Sequence, residues 1–456
     1  MQRRTGLSRL RVLDLSMGWA GPFVSFLLAE LGAEVIKVEA CQHFDWWRGP
    51  HPRDAARNPD GSINQTAHEQ APVYNSVNRH KLGLTLDLTT VAGKAALHNL
   101  VRVSDLLVEN FTPHAMASLS LDYPALARIN PHLIMLSMPA FGSTGPERDY
   151  IGYGMTIEAT AGMTALTGYE DGPPQMMGNA YGDPVSGLNG AAAALIALHR
   201  RDQTGTGAHI EVAQVEGFIP LIAGALLDRQ MNGRDGRRTG NRHPSMAPHG
   251  VYPCGPALTP GPSPAERERG ASAGTGSTVS PLSRAAGEGP GVRADSWIAI
   301  AIQSDAEWSL LCTILNRPDL VDDPRFADVV SRKRNENQID PIIAGWTMQH
   351  ERDEAVGLLR AAGVPVAPVQ TSADLLADAG LAARAFFTVV DRAHVGAHPY
   401  PGLPFSLIPP PEIDPRPAPC LGEHNELVLC DLLGMGEPQY EALLEAGVTG
   451  TEPADR

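Results

Sequence analysis

The sequence predicts an α/β fold in which a parallel β-sheet carries helices on its faces. In the first half of the chain, β-branched apolar runs alternate with segments whose apolar residues have helical spacing. Each strand-like run is followed by a helical segment and then by another strand-like run. The length of this repeat suits right-handed connections between parallel strands. The 456 residues also exceed the size of a single ordinary core, so we expect a second domain.

Six apolar, largely β-branched runs are expected to form strands: Arg11–Ser16, Ala33–Glu39, Leu82–Leu88, Asp105–Phe111, Leu133–Met138 and His209–Val212. Helical spacing between them predicts crossover helices over Phe23–Leu31, Gly93–Val103 and Tyr123–Ile129. A longer helix is expected over Gly187–Arg201, before two glycines that are typical of a helix stop. A further α/β portion begins with Trp297–Ile302 and Ala306–Leu315. No GxGxxG follows the first strand, so the usual dinucleotide-binding fingerprint is absent.

Residues 256–294 differ from the rest, because Gly, Pro, Ser, Ala and Arg dominate and large apolar residues are almost absent. Such a segment cannot bury enough surface to offset the entropy of ordering it, so we expect it to be disordered and without a catalytic role. DNA that encodes LTPGPSPAERERG can, on its complementary strand, encode a segment close to PLSRAAGEGPGVR. Our hypothesis is an inserted inverted-repeat DNA element, and an ordinary flexible linker is the alternative.

Composition and charge exclude several classes of protein. The chain has 36 Lys and Arg against 51 Asp and Glu, a net charge of −15, which argues against nucleic acid as a partner. Its five cysteines form no CxxC pair, so no disulfide framework or metal site is expected, and a reducing compartment fits. The N-terminus lacks an apolar leader, and no apolar stretch is long enough to cross a bilayer. We expect a cytoplasmic protein without a membrane partner.

Asp183, in NAYGDPVSGLNGAAAALIALHRR, is the most informative position. An Asp followed by Pro before a strong helix predicts an N-cap with Pro at the first helical position, and this structural role would suffice to explain it. The same position puts a carboxylate at the positive end of a helix, where ionisation is favoured. Gly182, Gly187 and Gly190 leave room for a ligand, and an ionised, uncrowded carboxylate can act as a nucleophile. The spacing does not decide between these roles.

Seven motifs follow one another along the chain: VLDLSMGWAGPFVSFLLAELGAEVIKVE, NRHKLGLTLDL, VENFTP, SMPAFGSTGP, GDPVSGLNGAAAALIAL, DDPRFAD with AGVPVAPV, and RPAPCLGEHN. In this order they make the chain resemble the class III CoA-transferases of the CaiB/BaiF type, the family of formyl-CoA and carnitine CoA-transferases. The resemblance covers nearly the whole chain except residues 255–294. It implies a Rossmann-like larger domain, a smaller α/β domain and an interlocked homodimer. The predicted segments are a large domain (1–210), a linker with the start of the small domain (211–255), the insert (256–294), the small domain (295–370), and a linker with a C-terminal return to the large domain (371–456).

The resemblance also implies a reaction and its residues. Asp183 matches the family's nucleophile, which would attack an acyl-CoA thioester, form an aspartyl mixed anhydride and then an aspartyl–CoA thioester, and pass CoA to a free carboxylic acid. No tightly bound cofactor is implied, because coenzyme A enters as part of the substrate. The family's CoA-lining positions correspond to Trp19, Ala20, Asn78, Lys81, Asn110, Phe111, Ala140, Phe141 and Gly142. Lys81 would meet a CoA phosphate, with a solvated surface lysine as the alternative.

Three positions depart from the formyl-CoA transferases. Trp19 replaces a glutamine near the reacting carboxylates, and Ala40 and Ser118 stand where those enzymes have arginines. These changes argue for a bulkier acyl group than formyl or oxalyl. Trp19, Trp46 and Trp47 are candidates for its pocket, and a place in the core is the alternative for these aromatics.

Two other functions stay open. The α-methylacyl-CoA racemases share this fold and use a His in a GHDxNY-like motif, but the aligned stretch here, GYGMTI, has Tyr153 at the His position and Gly154 next to it. A phenol with a pKa of about 10 is a poor acid–base catalyst at neutral pH, so a racemase or epimerase is the weaker alternative. The second alternative is a catalytically degenerate relative that only binds acyl-CoA. The lost arginines favour it, and the retained Asp183 argues against it.

Overall fold

The structure is a computed structural model that describes residues 7–55, 57–58, 60–255, 296–408, 413 and 415–454. Two compact units lie within these ranges. The first comprises the described parts of Met1–Ala165, Met176–Gly236 and Asp378–Arg456, and the second those of Leu166–Gln175 and Arg237–Ala377. The predicted insert at 256–294 lies outside the described residues. The boundary predicted at residue 210 falls inside the first unit, which continues to Gly236.

The first unit is built on a six-stranded, all-parallel sheet. Its strands are β1 (Arg11–Asp14), β2 (Glu34–Glu39), β3 (Lys81–Thr85), β4 (Leu106–Glu109), β5 (Ile134–Ser137) and β6 (Ala208–Glu211). They are hydrogen-bonded in the order β3-β2-β1-β4-β5-β6, and all six coincide with the predicted runs to within a few residues. The chain order reverses between β1 and β4, and a crevice forms at the carboxyl ends of the strands at such a switch point.

Helices cover both faces of this sheet. The helices up to residue 236, not all of which pack on the sheet, are α1 (Ala20–Glu30), α2 (Pro72–Val77), α3 (Val91–Arg102), α4 (Pro113–Ser118), α5 (Tyr123–Ile129), α6 (Gly154–Thr160), α7 (Met163–Leu166), α8 (Gly182–Thr204), α9 (Gln214–Phe218) and α10 (Ala223–Asn232). Val12 of β1 belongs to the apolar cluster that contains Val24 of α1 and Ala194 of α8. The next residue, Leu13, faces the opposite side and packs in the cluster that contains Leu97 of α3. Because both faces are covered, consecutive apolar residues run through strands such as β4 (Leu106, Leu107, Val108) and β5 (Ile134, Met135, Leu136).

The long helix α8 begins at Gly182, not at the predicted Gly187, and its N-cap is Tyr181. Asp183 therefore lies inside the first turn, so the prediction that it caps the helix is wrong. The reason is a tertiary contact: the Glu158 carboxylate of α6 accepts the backbone N–H of Tyr181 at 2.6 Å. An acceptor from another helix thus does what a local N-cap side chain would have done.

The second unit has its own small core. An antiparallel sheet contains β7 (His249–Pro253), β8 (Trp297–Ala301) and β9 (Val366–Pro368), in that order. The helices are α11 (Asp305–Ile314), α12 (Val329–Arg334), α13 (Glu336–Thr347), α14 (Arg352–Ala361) and α15 (Ser372–Leu376). Trp308 of α11 packs in one cluster with Ile298 of β8 and Ile343 of α13. The strand predicted at Trp297–Ile302 and the helix predicted at Ala306–Leu315 correspond to β8 and α11.

The C-terminal part of the first unit covers the β3 edge of the parallel sheet. It contains α16 (Ala379–Ala383), the antiparallel strands β10 (Phe387–Arg392) and β11 (Gly396–Pro401), a π-helical stretch (Leu427–Leu432) and α17 (Glu437–Glu445). The backbone N–H of Thr85 donates to the Asn425 side chain at 2.8 Å, and that of Gly83 donates to His424 Nδ1 at 3.1 Å. These bonds satisfy backbone groups that an open sheet edge would leave unpaired.

Short 3₁₀ turns complete the described elements: Trp46–Arg48, Pro52–Asp54, Ala67–Glu69, Ile219–Ile222 and Pro318–Leu320. The 23-residue helix α8 carries charged side chains near both ends, among them Asp183 and Arg201. In the part of the chain that the structure describes, no helix has the length and apolar character needed to cross a membrane.

Candidate active site

A cavity of about 840 Å³ opens at the carboxyl end of the parallel sheet, with all of its lining residues in the first unit. Its walls include residues that follow five of the strands: Met17 and Trp19 after β1, Trp47 after β2, Phe111 after β4, Ala140 after β5 and Gln214 after β6. Tyr153, Gly154 and Asp183 complete the wall on the side of α6 and α8. Ligands bind at this edge in open α/β sheets, so the topology and the cavity indicate the same place.

Asp183 lines this cavity from the first turn of α8. The backbone N–H of Ala20, the first residue of α1, donates to its carboxylate. Gly154 allows the close packing here, because a Cβ on Gly154 would lie 2.1 Å from Asp183 Oδ2. Within the described residues, no cation is paired with this carboxylate. Asp183 is therefore held in place while one side of its carboxylate stays open to the cavity.

Glu158 of α6 is a second carboxylate at this point, and it is fully buried. Its Oε1 accepts the backbone N–H groups of Tyr181 at 2.6 Å and Gly182 at 3.4 Å. Its Oε2 has no hydrogen-bond partner within the described residues. Glu158 thus fixes the first turn of α8 and places a negative charge near Asp183.

Burial raises the pKa of Asp183 to about 6, and the nearby charge of Glu158 adds to the increase, while the hydrogen bond from Ala20 opposes it. The sequence had suggested that the helix start would favour ionisation. Burial and Glu158 outweigh that effect of the helix dipole. The carboxylate is still largely ionised at neutral pH, but it is more basic than an exposed aspartate. An accessible, unpaired and basic carboxylate can attack a thioester carbonyl.

The carboxylates beside β1 and β2 are paired with cations instead. Asp14 Oδ2 accepts from Lys81 Nζ at 2.9 Å, and Asp45 Oδ2 accepts from Lys37 Nζ at 2.9 Å. All four side chains are buried. Burial alone would raise the pKa of Asp14, but the two lysine ammonium groups lower it well below its usual range. These groups stabilise the loops around the cavity and are not free to react.

The sequence model of CoA-transferase family III matches residues 7–258 and 292–425 of this chain. The chain belongs to CoA-transferase family III. The match passes over residues 259–291, which fall inside the segment that composition had set apart as an insert.

Individual relatives agree with this assignment. The CoA-transferase is 31% identical to the succinyl-CoA–D-citramalate CoA-transferase of Chloroflexus aurantiacus, over 96% of this chain and 97% of that one. It is 29% identical to the formyl-CoA:oxalate CoA-transferase of Streptomyces avermitilis, over 97% of this chain and 99% of that one. The crystal structure of a CaiB/BaiF family protein from Brucella suis matches with a TM-score of 0.75 at 29% identity, over 94% of this chain and all of that one. The predicted family, the α/β fold with a parallel sheet and the enzyme class are confirmed.

Among the predicted CoA contacts of this CoA-transferase, the cavity is lined by Trp19, Asn110, Phe111 and Ala140. The Asn110 side chain is bonded in both directions to Met17. Its Nδ2 donates to the Met17 carbonyl at 2.7 Å, and its Oδ1 accepts the Met17 N–H at 2.8 Å. Asn110 therefore joins the loops after β1 and β4 on the two sides of the switch point.

Lys81 and Asn78 do not line the cavity. Lys81 is buried, and its Nζ donates to Asp14 Oδ2 at 2.9 Å, to the Pro22 carbonyl at 2.9 Å and to Asn78 Oδ1 at 2.8 Å. Asn78 in turn donates to the Tyr74 carbonyl at 2.9 Å. Because all three N–H groups of the ammonium are used within the fold, Lys81 has a structural role. This corrects both the expected phosphate contact and the solvated alternative.

The other predicted contacts lie beside lining residues. Ala20 contributes its backbone N–H to Asp183. The Phe141 ring is in edge-to-face contact with Tyr150, a lining residue, at a centroid distance of 6.2 Å. Gly142 has a φ of +85°, in the left-handed region that glycine adopts without strain, so its role is to form the turn after β5.

The three tryptophans singled out from the sequence line the cavity and do not enter the core. Trp46 is 56% exposed. Asp45 fixes their loops, because its Oδ1 accepts the backbone N–H groups of Gly18 at 2.9 Å and Trp47 at 3.0 Å. The turn after β2 and the loop after β1 are thereby tied to one carboxylate.

Sequence reasoning missed Glu158 and Asp45. Glu158 is the only charged residue between Asp149 and Glu170, and a lone carboxylate in an uncharged stretch is a signal for a buried polar role. Asp45 gives no such local signal. Its partner Lys37 gives one, since a lysine in the middle of an apolar strand requires a buried counter-charge.

Proposed function

We propose that this CoA-transferase moves CoA from an acyl-CoA thioester to a free carboxylic acid through covalent intermediates on Asp183. One observation carries the proposal: the Asp183 carboxylate lines the cavity at the carboxyl end of the sheet, without a cation among the causes that set its pKa. The paired carboxylates of Asp14 and Asp45 are buried beneath the neighbouring loops and lack this access.

The exchange proceeds in four balanced steps. An oxygen of Asp183 attacks the thioester carbonyl, the C–S bond breaks, and a mixed anhydride and CoA thiolate form. The thiolate attacks the aspartyl carbonyl of the anhydride, which leaves an aspartyl–CoA thioester and frees the first acid as its carboxylate. The acceptor carboxylate attacks this thioester and regenerates a mixed anhydride and CoA thiolate. The thiolate then attacks the acyl carbonyl, which releases the new acyl-CoA and the Asp183 carboxylate.

The surroundings of Asp183 favour these steps. The carboxylate loses its charge when it becomes an anhydride or a thioester, so its repulsion by Glu158 is relieved in every covalent intermediate. The backbone N–H of Ala20 already donates to the carboxylate and stays beside the oxyanion that develops on the aspartyl carbon. Trp19, Asn110, Phe111 and Ala140 are the lining residues to which we assign contact with CoA.

We further propose the interlocked homodimer that the resemblance implies. Apolar side chains on the outer sides of α8 and α10 support it: Ile196 is 71% exposed, and Met231 is 77% exposed. Helix α10 buries none of its side chains within the described chain. A second copy would remove this surface from water. Sedimentation at micromolar concentration tests the proposal, and a monomer would contradict it.

Covalent labelling tests the role of Asp183. The protein is incubated with a panel of acyl-CoA thioesters, treated with hydroxylamine and digested, and the peptides are analysed by mass spectrometry. We expect a hydroxamate at Asp183 in the native protein and none in Asp183→Asn. Asp202→Asn, at the other end of α8, is the matched control and should label normally. If Asp183 stays unmodified while CoA binds, the nucleophile assignment is wrong, and an isomerase or a binding-only protein becomes the better interpretation.

A further inference from the structure

Four aromatic rings form a continuous row on the cavity wall, here called the aromatic arc: Trp19, Trp47, Trp46 and Tyr153. Neighbouring ring centroids are 5.3 Å apart for Trp19 and Trp47, 6.0 Å for Trp47 and Trp46, and 6.3 Å for Trp46 and Tyr153. These are contact distances for aromatic pairs. The rings therefore form one connected apolar surface.

The two ends of the arc flank Asp183. Trp19 immediately precedes Ala20, whose backbone N–H donates to the Asp183 carboxylate. Tyr153 immediately precedes Gly154, whose added Cβ would lie 2.1 Å from Asp183 Oδ2. An acyl group joined to this carboxylate thus begins between the two ends of the arc.

The arc is held open by the backbone and is not collapsed into the core. Trp46 is 56% exposed and Tyr153 is 63% exposed. Gly18 lies under the Trp46 ring with a φ of +76°, and a Cβ there would be 2.7 Å from the ring. Asp45 accepts the N–H groups of Gly18 and Trp47, which fixes both loops. The surface is therefore preorganised for a flat apolar group.

The charges near the arc are negative. The Asp183 carboxylate lies between the two ends of the arc, and the charge of the buried Glu158 acts on it. Among the described lining residues, the basic side chains are His43 and Arg148, and neither belongs to the arc. Arg148 is half-exposed and lies 3.5 Å from Asp149. A second carboxylate on the acyl group would be repelled at the arc and would leave its rings without an apolar partner.

We propose that the acyl group carried by this enzyme is aromatic, or similarly flat and apolar, and that the aromatic arc binds it. The inference rests on the proposed role of Asp183 and adds the class of acid. It predicts discrimination against aliphatic dicarboxylic acids, although relatives of the chain act on succinyl-CoA and oxalate.

Competing donors test the class of acid. The rate of hydroxamate formation at Asp183 is measured with 3-phenylpropanoyl-CoA, succinyl-CoA and acetyl-CoA as the probes. We expect the phenylpropanoyl donor to react about tenfold or more faster than the succinyl donor, the size of discrimination that pocket contacts provide. Trp46→Ala should abolish most of this preference, because the phenylpropanoyl group then loses a ring contact that the succinyl group does not use.

Two further variants complete the experiment. Tyr153→Phe keeps the ring and should keep the preference, whereas Tyr153→Ala should reduce it even if Trp46→Ala does not fold. Phe405→Ala, an exposed aromatic outside the cavity, is the matched control and should behave as the native protein. The inference is overturned if succinyl-CoA labels Asp183 as fast as 3-phenylpropanoyl-CoA or faster. It is also overturned if the preference for the phenylpropanoyl donor survives loss of the Trp46 and Tyr153 rings. In both cases Asp183 keeps its role. If no donor labels Asp183, the proposed function itself fails.

Discussion

At the carboxyl end of the parallel sheet, the carboxylates on one side are paired with cations, and those on the other side are not. On the paired side, beside β1 and β2, Asp14, Glu39 and Asp45 contact lysine or arginine. On the unpaired side, beside β4, α6 and α8, the carboxylates are Glu109, Glu158 and Asp183, and none of them has an ion-pair partner among the described residues (Glu109 and Glu158 bond to backbone N–H groups).

The consequence appears in the pKa values. Burial alone would raise the pKa of Glu39, but Arg48 and Lys37 lower it below its usual value. On the unpaired side, burial raises the pKa of Glu109 to about 7 and that of Asp183 to about 6. Burial acts to raise the carboxylate pKa on both sides, so the presence or absence of neighbouring cations decides whether the pKa ends below or above its usual value. The paired side stabilises the loops, and the unpaired side retains a basic carboxylate that can react.

The largest expected effect is a loss of stability on the paired side. Lys37→Met removes the partner of Asp45 at 2.9 Å and leaves a fully buried charge uncompensated. Breaking one half of a buried ion pair costs about 3–5 kcal/mol, so we expect a loss of this size in the free energy of unfolding. Denaturant titration measures it. A loss below about 1 kcal/mol would show that the pair does not stabilise the paired side.

The matching change on the unpaired side, Asp183→Asn, should increase the free energy of unfolding. Asp183→Asn removes a carboxylate whose pKa is raised on folding, so the variant should be more stable than the native protein above pH 6. The gain should decline as the pH falls from 6 towards 4, because the native Asp183 is then protonated in the folded state and its cost disappears. We expect a gain of about 1 kcal/mol or less at this partly exposed site. Thermal unfolding at pH 4.5 and 7.5 measures it, and a gain that increases at acid pH contradicts the argument.

The next effect concerns the position of Asp183. Gly154→Ala places a methyl group 2.1 Å from Asp183 Oδ2, so the carboxylate or α6 must move. A displacement of about 1 Å at the reacting group can reduce the rate about 100-fold, and we expect a loss of that order in the rate of CoA transfer. Gly224→Ala in α10 is the matched control, since a Cβ there meets nothing within 4 Å. If Gly154→Ala folds and is as active as the control, the close approach of Gly154 to Asp183 does not determine the position of the reacting carboxylate.

The last expected effect is a shift in the pH dependence of covalent labelling. Asp183 must be ionised to attack, so the rate of covalent labelling should fall below about pH 6 and reach a plateau above it. Glu158→Gln keeps the acceptor for the Tyr181 N–H and removes the charge, so the midpoint should move to lower pH by up to about one unit. Glu216→Gln, exposed on α9, should leave the midpoint unchanged. An unchanged or higher midpoint in Glu158→Gln contradicts the electrostatic role of Glu158.

The comparison also explains which predictions from sequence succeeded. The six strands were predicted well because their apolar runs are local and both faces of the sheet are buried. Asp183 was found from its motif, yet its role as an N-cap was wrong because Glu158, 23 residues away in the chain, supplies the cap. Lys81 was expected at the surface or on a phosphate, and its partner Asp14 lies 67 residues away. Local patterns do not contain such contacts.

The sequence by itself determined the alternation of strands and helices, the family and the aspartate at the start of α8, since each depends on residues close together in the chain. Only the tertiary structure decided which carboxylates are paired, that Lys81 is buried, and that three tryptophans and Tyr153 form one surface beside Asp183. The physical reason is that charge interactions and ring contacts depend on distance and burial. Those are set when loops from separate strands meet at one edge of the sheet.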